Sequence, residues 1–387
     1  MAYEYAPPLI DALHCRHRRM LIERLRIMIK HPNTYFNKTS IAAMFSGLVF
    51  CLTAQAADLF APAAISWVSS QATWPVNNQT KPSDLSPQDK TTKLLVLGSG
   101  TPMPNPYRFG PATAVIVNGY PYFVDCGEGW FRALNRATIN QHGIDLTKVF
   151  ALDHLKYMFL THLHEDHTVG LPSFILGPYK FASTTNKVIM GPPGTLHLVN
   201  GIIDAWSADR EEQFEGMHGS PEGSGATAGD IDLAQALPGP VFQDSNVTVQ
   251  AFKTEHGAFA QPLAYRFTSK SDGRVIAVGG DGTYSPGLVQ AAKNADVLVI
   301  EGVTWDNLNY ADWGGNNLDE KIKNVSRYHM FPSDLKRVQE ESHVKEIVLV
   351  HEQNFAAPGQ YAPLGLQHEM ERNGVKNVHS AVDGDLF

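Results

Sequence analysis

In the stretch Thr161-His162-Leu163-His164-Glu165-Asp166-His167, two histidines stand two residues apart, and Asp166 and His167 follow at once. Neutral imidazole nitrogen and carboxylate oxygen are ligands suited to zinc and similar divalent ions. Metal binding is therefore the chemistry this cluster suits. A lone histidine is more often a surface residue than a ligand; a cluster this dense, directly after an apolar run, is hard to explain structurally. Its members cannot all reach one ion, so further ligands must arrive from elsewhere in the chain. Three candidates stand out: His256 in Thr254-Glu255-His256-Gly257, Asp281 in Gly279-Gly280-Asp281-Gly282, and His351 after Ile347-Val348-Leu349-Val350. The glycines around Asp281 would leave room for an ion to approach the backbone. Taken singly, Asp281 also fits a turn residue and His351 a strand-end surface residue.

The hydrophobic pattern shows what could hold these groups together. Tyr157-Met158-Phe159-Leu160 reads as a buried strand that delivers the histidine cluster at its end. Val275-Ile276-Ala277-Val278 leads to Asp281, Val297-Leu298-Val299-Ile300 to Glu301, and Ile347-Val348-Leu349-Val350 to His351. Apolar strands that each finish in His, Asp or Glu can bring those groups to one edge of a rigid sheet scaffold. Further strands are predicted at 93–98, 112–118, 121–125, 247–253 and 262–268, with a hairpin at Asn118-Gly119. Helices are predicted at 128–138, 286–294, 333–342 and 361–372. Residues 207–245, polar and rich in glycine, read as an irregular insertion or lid.

Ahead of the domain, residues 41–54 form a short apolar run preceded by Lys30 and Lys38 and followed by the small-x-small site Ala54-Gln55-Ala56. That order is a secretory signal peptide, too short for a comfortable permanent membrane span. Residues 1–56 are thus expected to be an N-terminal extension and signal, cleaved after Ala56, with 57–92 a polar linker. The mature chain would be periplasmic or secreted, without a stable membrane anchor; translation would begin at Met28 or Met20. Residues 1–56 carry seven of the 31 basic and three of the 39 acidic residues, so the mature net charge would be −12 rather than −8. That is a poor electrostatic surface for a polyanion such as RNA. Cys126 is the single cysteine beyond the leader, so an exported chain has no internal disulfide to form.

His-x-His-x-Asp-His, followed by separate His, Asp and His at strand ends, resembles the metallo-β-lactamase superfamily over about residues 93–387. Leu97-Gly98-Ser99-Gly100-Thr101-Pro102 and Phe123-Val124-Asp125-Cys126-Gly127-Glu128-Gly129 resemble the glycine-rich motifs of its tRNase Z-like side, and Glu255-His256 with Ala264-Tyr265-Arg266-Phe267 its third-ligand segment. Arg108-Phe109-Gly110-Pro111 resembles the bacterial arylsulfatase-like members. The resemblance implies a single αββα sandwich domain with two divalent ions, zinc first and manganese or iron as alternatives. It assigns His162, His164 and His256 to one ion, Asp166, His167 and His351 to the other, and Asp281 to both. Asp125 would orient a ligand imidazole. His329, with Glu301 as carboxylate partner, would protonate a leaving group; Ile300 and Met330-Phe331-Pro332 depart from the family pattern around them. Gly98, Gly100 and Gly127 would serve tight turns. Tyr107 and Trp130 could line a pocket, although aromatic residues beside glycine loops more often pack. The histidines at 142, 154, 197, 218, 343, 368 and 379 have no ligand company.

A metal-bridged hydroxide, its proton accepted or oriented by Asp166, would then attack a small sulfate or phosphate ester. An exported arylsulfatase-like or phosphodiesterase-like hydrolase is the first expectation, with a small-molecule substrate, no nucleic-acid partner, and a homodimer left open. The alternatives are a tRNase Z-type 3′ tRNA-processing endoribonuclease, a lactonase or β-lactamase, and a non-catalytic metal-binding relative. The tRNA reading is disfavoured by the leader, by the charge, and by the short His256–Asp281 connection, where tRNase Z proteins usually carry a flexible arm.

Overall fold

A computed structural model describes residues 91–103, 105, 107–138, 146–216, 221–234, 239–308, 315–354 and 365–387. The leader expected in 1–56, and all of the expected linker but Thr91 and Thr92, lie outside the described residues, as do His142 and His218.

Two sheets carry the structure. The first runs β1 (Lys93–Gly98), β2 (Ala112–Val117), β3 (Tyr120–Val124), β4 (Tyr157–Phe159), β5 (Lys187–Gly191) and β6 (Ala226–Asp230), in that spatial order. The second holds β7 (Phe242–Gln243), β8 (Val247–Lys253), β9 (Leu263–Ser269), β10 (Val275–Val278), β11 (Val297–Val303), β12 (Glu346–Gln353) and β13 (Val378–Ser380), ordered from β13 to β7. Each sheet starts as an antiparallel meander and continues with parallel strands. The β2–β3 link is the two-residue turn Asn118-Gly119, with φ of 53° and 74°. Positive φ at both positions is the turn whose twist matches paired strands, and asparagine followed by glycine tolerates it best.

Side-chain alternation explains the layers. Along β1, Leu94 and Val96 face the space between the sheets while Leu95 and Leu97 face outward. Along β12, Val348 and Val350 face inward and Ile347 and Leu349 outward. Strands apolar on both faces must be covered on both faces, and helices supply the outer covers. On the first sheet these are α1 (Trp130–Thr138), α3 (Leu171–Leu176), α4 (Thr195–Ala205) and α5 (Ser207–Gly216), while the short polar α2 (Glu165–Thr168) precedes α3 and adds nothing to that apolar cover. The second sheet is covered by α6 (Pro286–Ala292), α8 (Pro332–Ser342) and α9 (Gly365–Arg372), with α7 (Leu318–Val325) on a smaller cluster beside them. Helix α6 starts where Ser285 Oγ accepts from Leu288 N–H at 3.2 Å and Pro286 takes the first helical position, which needs no N–H. The result is the expected αββα sandwich. It closes on itself as one domain: Leu94 and Phe387 exchange backbone hydrogen bonds at 2.9 and 2.8 Å.

The described residues of 207–245 are more regular than expected. They contain α5, the edge strand β6 and the short β7. Ala226-Thr-Ala-Gly-Asp carries no strong strand signal of its own; parallel pairing with β5 makes it a strand. The predicted helices 128–138 and 286–294 are shorter, at 130–138 and 286–292, and 361–372 is described from Gly365 on. Gly98, Gly100 and Gly127 have no positive φ. They serve close packing rather than turns: a Cβ on Gly98 would stand 1.9 Å from the Gly110 carbonyl oxygen, and one on Gly127 2.4 Å from Gly110 C. No helix among the described residues is long and apolar enough to cross a membrane.

Candidate metal centre

The site lies where β4, β10, β11 and β12 deliver their polar residues. After β4, Thr161 and His162 continue the chain into α2, whose first turn holds Asp166 and His167. Thr168 Oγ fastens this turn to the His164 carbonyl at 2.9 Å, and Cys126 N–H fastens it to the His167 carbonyl at 2.8 Å. Glu301 and His351 sit within β11 and β12 rather than at their ends. A register shift places the pairs Ile300–Leu349 and Gly302–Glu352 side by side, so β12 carries one extra residue there. Such a bulge re-aims a side chain, and here it falls at His351, whose φ is +49°.

Seven side chains converge in three overlapping groups: His162, His164 and His256; His162, His167 and Asp281; and Asp166, His167 and His351, with ligand atoms in each group within 4.8 Å of one another. His164 Nδ1 stands 3.0 Å from His162 Nε2 and 3.1 Å from His256 Nε2. Nitrogens bound at 2.0–2.1 Å to one tetrahedral zinc stand about 3.3 Å apart, so these imidazoles have nearly the spacing of one ion's ligands. On the other side His351 Nε2 lies 3.0 Å from Asp166 Oδ2, and His167 Nε2 lies 3.6 Å from the same oxygen. Asp281 Oδ1 sits 3.3 Å from His167 Nε2 and 3.5 Å from His351 Nδ1. Its group joins His162 to His167, one residue from each assigned set.

Hydrogen bonds behind the cluster fix which nitrogen faces it. His167 Nδ1 bonds Asp125 Oδ2 at 2.9 Å, leaving Nε2 to face the site. Asp125 is itself held by Thr161 N–H and Thr161 Oγ, both at 2.8 Å. His256 Nδ1 donates to the Tyr328 carbonyl at 2.7 Å, and His162 Nδ1 lies 3.1 Å from Thr161 Oγ. Partners of this kind hold the tautomer and ring orientation of metal-ligating histidines. Asp125 thus has the orienting contact expected of it. Thr161 and Tyr328 have comparable roles; the first is marked in sequence only by its place before His162, and the second acts through its backbone and leaves no sequence signal. A Cβ on Gly280 would meet Thr161 Oγ at 2.3 Å, so that glycine makes room for Thr161 rather than for an ion.

Electrostatics separate the two sides. Burial, reinforced by neighbouring imidazoles, lowers the pKa of His162 well below its usual range, and burial brings His256 to about 4. Burial also lowers His164. These three are neutral, ligand-ready imidazoles at neutral pH. His167 goes the other way: burial opposes its charge, but Asp281 and Asp125 outweigh burial and raise it. Asp281, despite complete burial, is held well below the carboxylate range by His351 and His167. His167 Nε2, Asp281 Oδ1 and His351 Nδ1 are buried and make no hydrogen bond. Buried polar atoms left so are rare and costly. Together with a donor set of imidazole and carboxylate, they fit a divalent cation.

His329 Nδ1 lies 3.2 Å from Glu301 Oε1, which also accepts from Met330 N–H at 2.8 Å and Gly282 N–H at 3.3 Å. Burial opposes a charge on His329, but Glu301 raises its pKa; burial raises that of Glu301. His329 lines a cavity of about 400 Å³ together with His164, Asp166, His256, Asp281 and His351, and Pro102, Met103 and Tyr328 form apolar wall. Trp130 lies elsewhere, fully buried against Phe123 and Phe174, and packs. Tyr107 is exposed and does not line the cavity. His154, His197, His343, His368 and His379 belong to none of the ligand groups.

Fold and site together are those of a metal-dependent hydrolase, and comparison with known proteins agrees. The model of a β-lactamase superfamily domain matches residues 122–351, and the chain belongs to that superfamily, on its tRNase Z-like side. A ribonuclease Z of Mycobacterium bovis (strain BCG / Pasteur 1173P2) is 26% identical over 271 residues, covering 69% of this chain and 88% of that protein. The short form of human tRNase Z shares the fold, with a TM-score of 0.53 at 20% identity, covering 76% of this chain and 98% of that one. So does the metallo-β-lactamase fold protein YhfI from Bacillus subtilis, with a TM-score of 0.52 at 19% identity and the same coverage. The ribonuclease Z relatives overturn the expectation that nucleic acid is excluded as a partner. Net charge is a property of the whole surface and does not decide what the neighbourhood of one cavity binds.

Proposed function

We propose that this chain is a dinuclear metal-dependent phosphodiester hydrolase whose first substrate class is RNA, as the name of its ribonuclease Z relatives suggests, with a tRNA 3′ region as the substrate that the tRNase Z-like resemblance implies. The observation that carries the reading is the convergence of seven imidazole and carboxylate ligands, three of whose buried donor atoms lack any hydrogen-bond partner. His162, His164 and His256 would hold one ion, Asp166, His167 and His351 the other, and Asp281 both. Ions so placed lower the pKa of water and stabilise the negative oxygens of an in-line displacement. Asp166 orients the proton of the attacking water. His329, steadied by Glu301, stands at the cavity wall as general acid for the leaving oxygen; a histidine held by a carboxylate is charged and ready to donate near neutral pH.

A second reading, a small sulfate or phosphate ester as substrate, has one observation in its favour. Between β9 and β10 only residues 270–274 intervene, so the segment from His256 to Asp281 is a plain hairpin with no arm. Export through the leader in 1–56 is a companion proposal, tested by the N-terminal sequence and cell fraction of the mature chain. The deciding experiment is a panel of substrates offered to the metal-loaded chain: a 3′-extended tRNA precursor, bis(p-nitrophenyl) phosphate, an aryl sulfate, a lactone and a β-lactam. Cleavage of the tRNA precursor and the phosphodiester supports the first reading. Turnover of the aryl sulfate or bis(p-nitrophenyl) phosphate with the RNA left intact moves the substrate to the second, and silence on all with two ions bound sinks both.

A further inference from the structure

The backbone of His351 is strained for a residue with a side chain: its φ of +49° lies in the left-handed region. Such conformations persist only where the surroundings over-determine them. Besides the bulge with β11, a backbone hydrogen bond holds it: His351 N–H donates to the Ser99 carbonyl at 2.9 Å. Ser99 is in turn fixed from the far end of the chain. Asp383 Oδ1 accepts from Ser99 N–H at 2.9 Å and from Ser99 Oγ at 2.7 Å, and Asp383 Oδ2 accepts from Phe109 N–H at 2.7 Å. Arg108 Nη1 adds bonds to Ser99 Oγ at 3.1 Å and to the Ala381 carbonyl at 3.0 Å. Asp383 is buried and belongs to none of the ligand groups.

We propose that Asp383 is a positioning residue for the metal centre: it clamps the loop from Ser99 to Phe109 against the C-terminal segment and, through the Ser99 carbonyl, sets the backbone from which His351 reaches its ion. The inference rests on the dinuclear reading above. A carboxylate suits the place because three donors converge on it and none of its contacts asks it to donate. An amide of the same shape would turn one acceptor into a donor facing Ser99 or Phe109. The same loop carries Pro102 and Met103, so its displacement also moves one wall of the cavity.

The test compares wild type with Asp383→Asn, Ser99→Ala and His351→Ala by zinc titration against a chromophoric chelator, with thermal melting in parallel. In Asp383→Asn the ion that His351→Ala weakens should lose about tenfold or more in affinity, the range seen when a group that orients a metal ligand is replaced, while the other ion stays within twofold. His351→Ala should weaken the same ion further. Should Asp383→Asn fail to fold, Ser99→Ala decides, since it removes only a hydroxyl and keeps the backbone bond: a selective loss at the same ion, smaller in size, supports the proposal. Two ions bound with unshifted affinities in the folded variants overturn it and leave the dinuclear reading standing. Equal weakening of both ions, in step with a falling melting temperature, also overturns it, since that is what a merely structural residue would give. Fewer than two ions on the wild type overturn the dinuclear reading and this inference with it.

Discussion

Replacing Asp125 by asparagine tests the geometry behind the metal centre with almost no change of volume. Asp125 accepts three hydrogen bonds, from Thr161 N–H and Thr161 Oγ at 2.8 Å and from His167 Nδ1 at 2.9 Å. An amide keeps one oxygen. With that oxygen on Thr161 N–H, its NH₂ faces Thr161 Oγ and His167 Nδ1, where acceptors are needed. His167 can then keep its tautomer and lose its partner, or switch tautomer and carry a hydrogen on Nε2, the atom that faces the site. Either outcome weakens the ion that His167 serves, by about 10- to 100-fold, the range for loss of an orienting partner, or about 1.4–2.7 kcal/mol. Stepwise zinc titration with a competing chelator measures it, and circular dichroism confirms that the variant is folded. A folded Asp125→Asn chain with both affinities within twofold of wild type would refute the orienting role.

Three further outcomes follow from contacts elsewhere. His329→Ala should keep both ions but lose about 10²–10⁴ in kcat on a substrate with an alkoxide leaving group, and far less with p-nitrophenolate, which departs without a proton; equal losses on both would remove His329 as the acid. Gly257→Ala should be poorly tolerated, because φ there is +56° and a Cβ would stand 2.0 Å from Tyr328 Cε1. The left-handed conformation alone costs roughly 1–2 kcal/mol, and displacing Tyr328 disturbs the carbonyl that holds His256. A melting temperature unchanged by the substitution would contradict that packing. Asp272 anchors Thr92 to the β9–β10 turn through bonds at 2.7 and 2.9 Å. Burial works against its charge, but hydrogen bonds from Ser269, Thr92 and Arg274 bring its pKa down to about 2. A folded-state pKa below the unfolded value of about 3.9 gives stability that is present above that value and disappears as pH falls through about 2. Asp272→Asn should therefore melt lower than wild type at neutral pH, with the gap narrowing between about pH 4 and 2; a gap constant across that range would rule out the ionised carboxylate as its source.

The residues that converge on the candidate site were legible in sequence because two patterns reinforce each other. The spacing from His162 to His167 has few structural explanations, and apolar strands running up to Asp281, Glu301 and His351 point those residues at the same sheet edge. Both sheets were legible where strands are continuously apolar, since such strands must be covered on both faces. What escaped depends on contacts made after folding. Strand β6 is held by β5 rather than by its own residues, and nothing in Thr195–Ala205 announces α4, which begins after Gly194 with Asp230, from β6, accepting from Gly194 and Leu196 N–H. The bulge at His351 arises from the β11–β12 register, which strand propensity does not encode. Asp383 meets Ser99 and Phe109 across 284 and 274 residues of chain, so no local motif could connect them. Export and substrate depend on residues 1–56 and on bound partners, neither of which the described fold contains. The mature chain's net charge was a weak guide to nucleic acid because it does not say how charge is distributed around one cavity.

The most direct test of the central claim is a zinc titration of the metal-stripped chain, followed by hydrolysis of bis(p-nitrophenyl) phosphate and by bound metal per chain in the same samples. The dinuclear account predicts activity that rises until two ions are bound and then levels off, with Asp281→Asn losing both ions together. Full activity in the stripped chain, saturation at one ion, or an Asp281→Asn chain that gives up only one of two ions would contradict it.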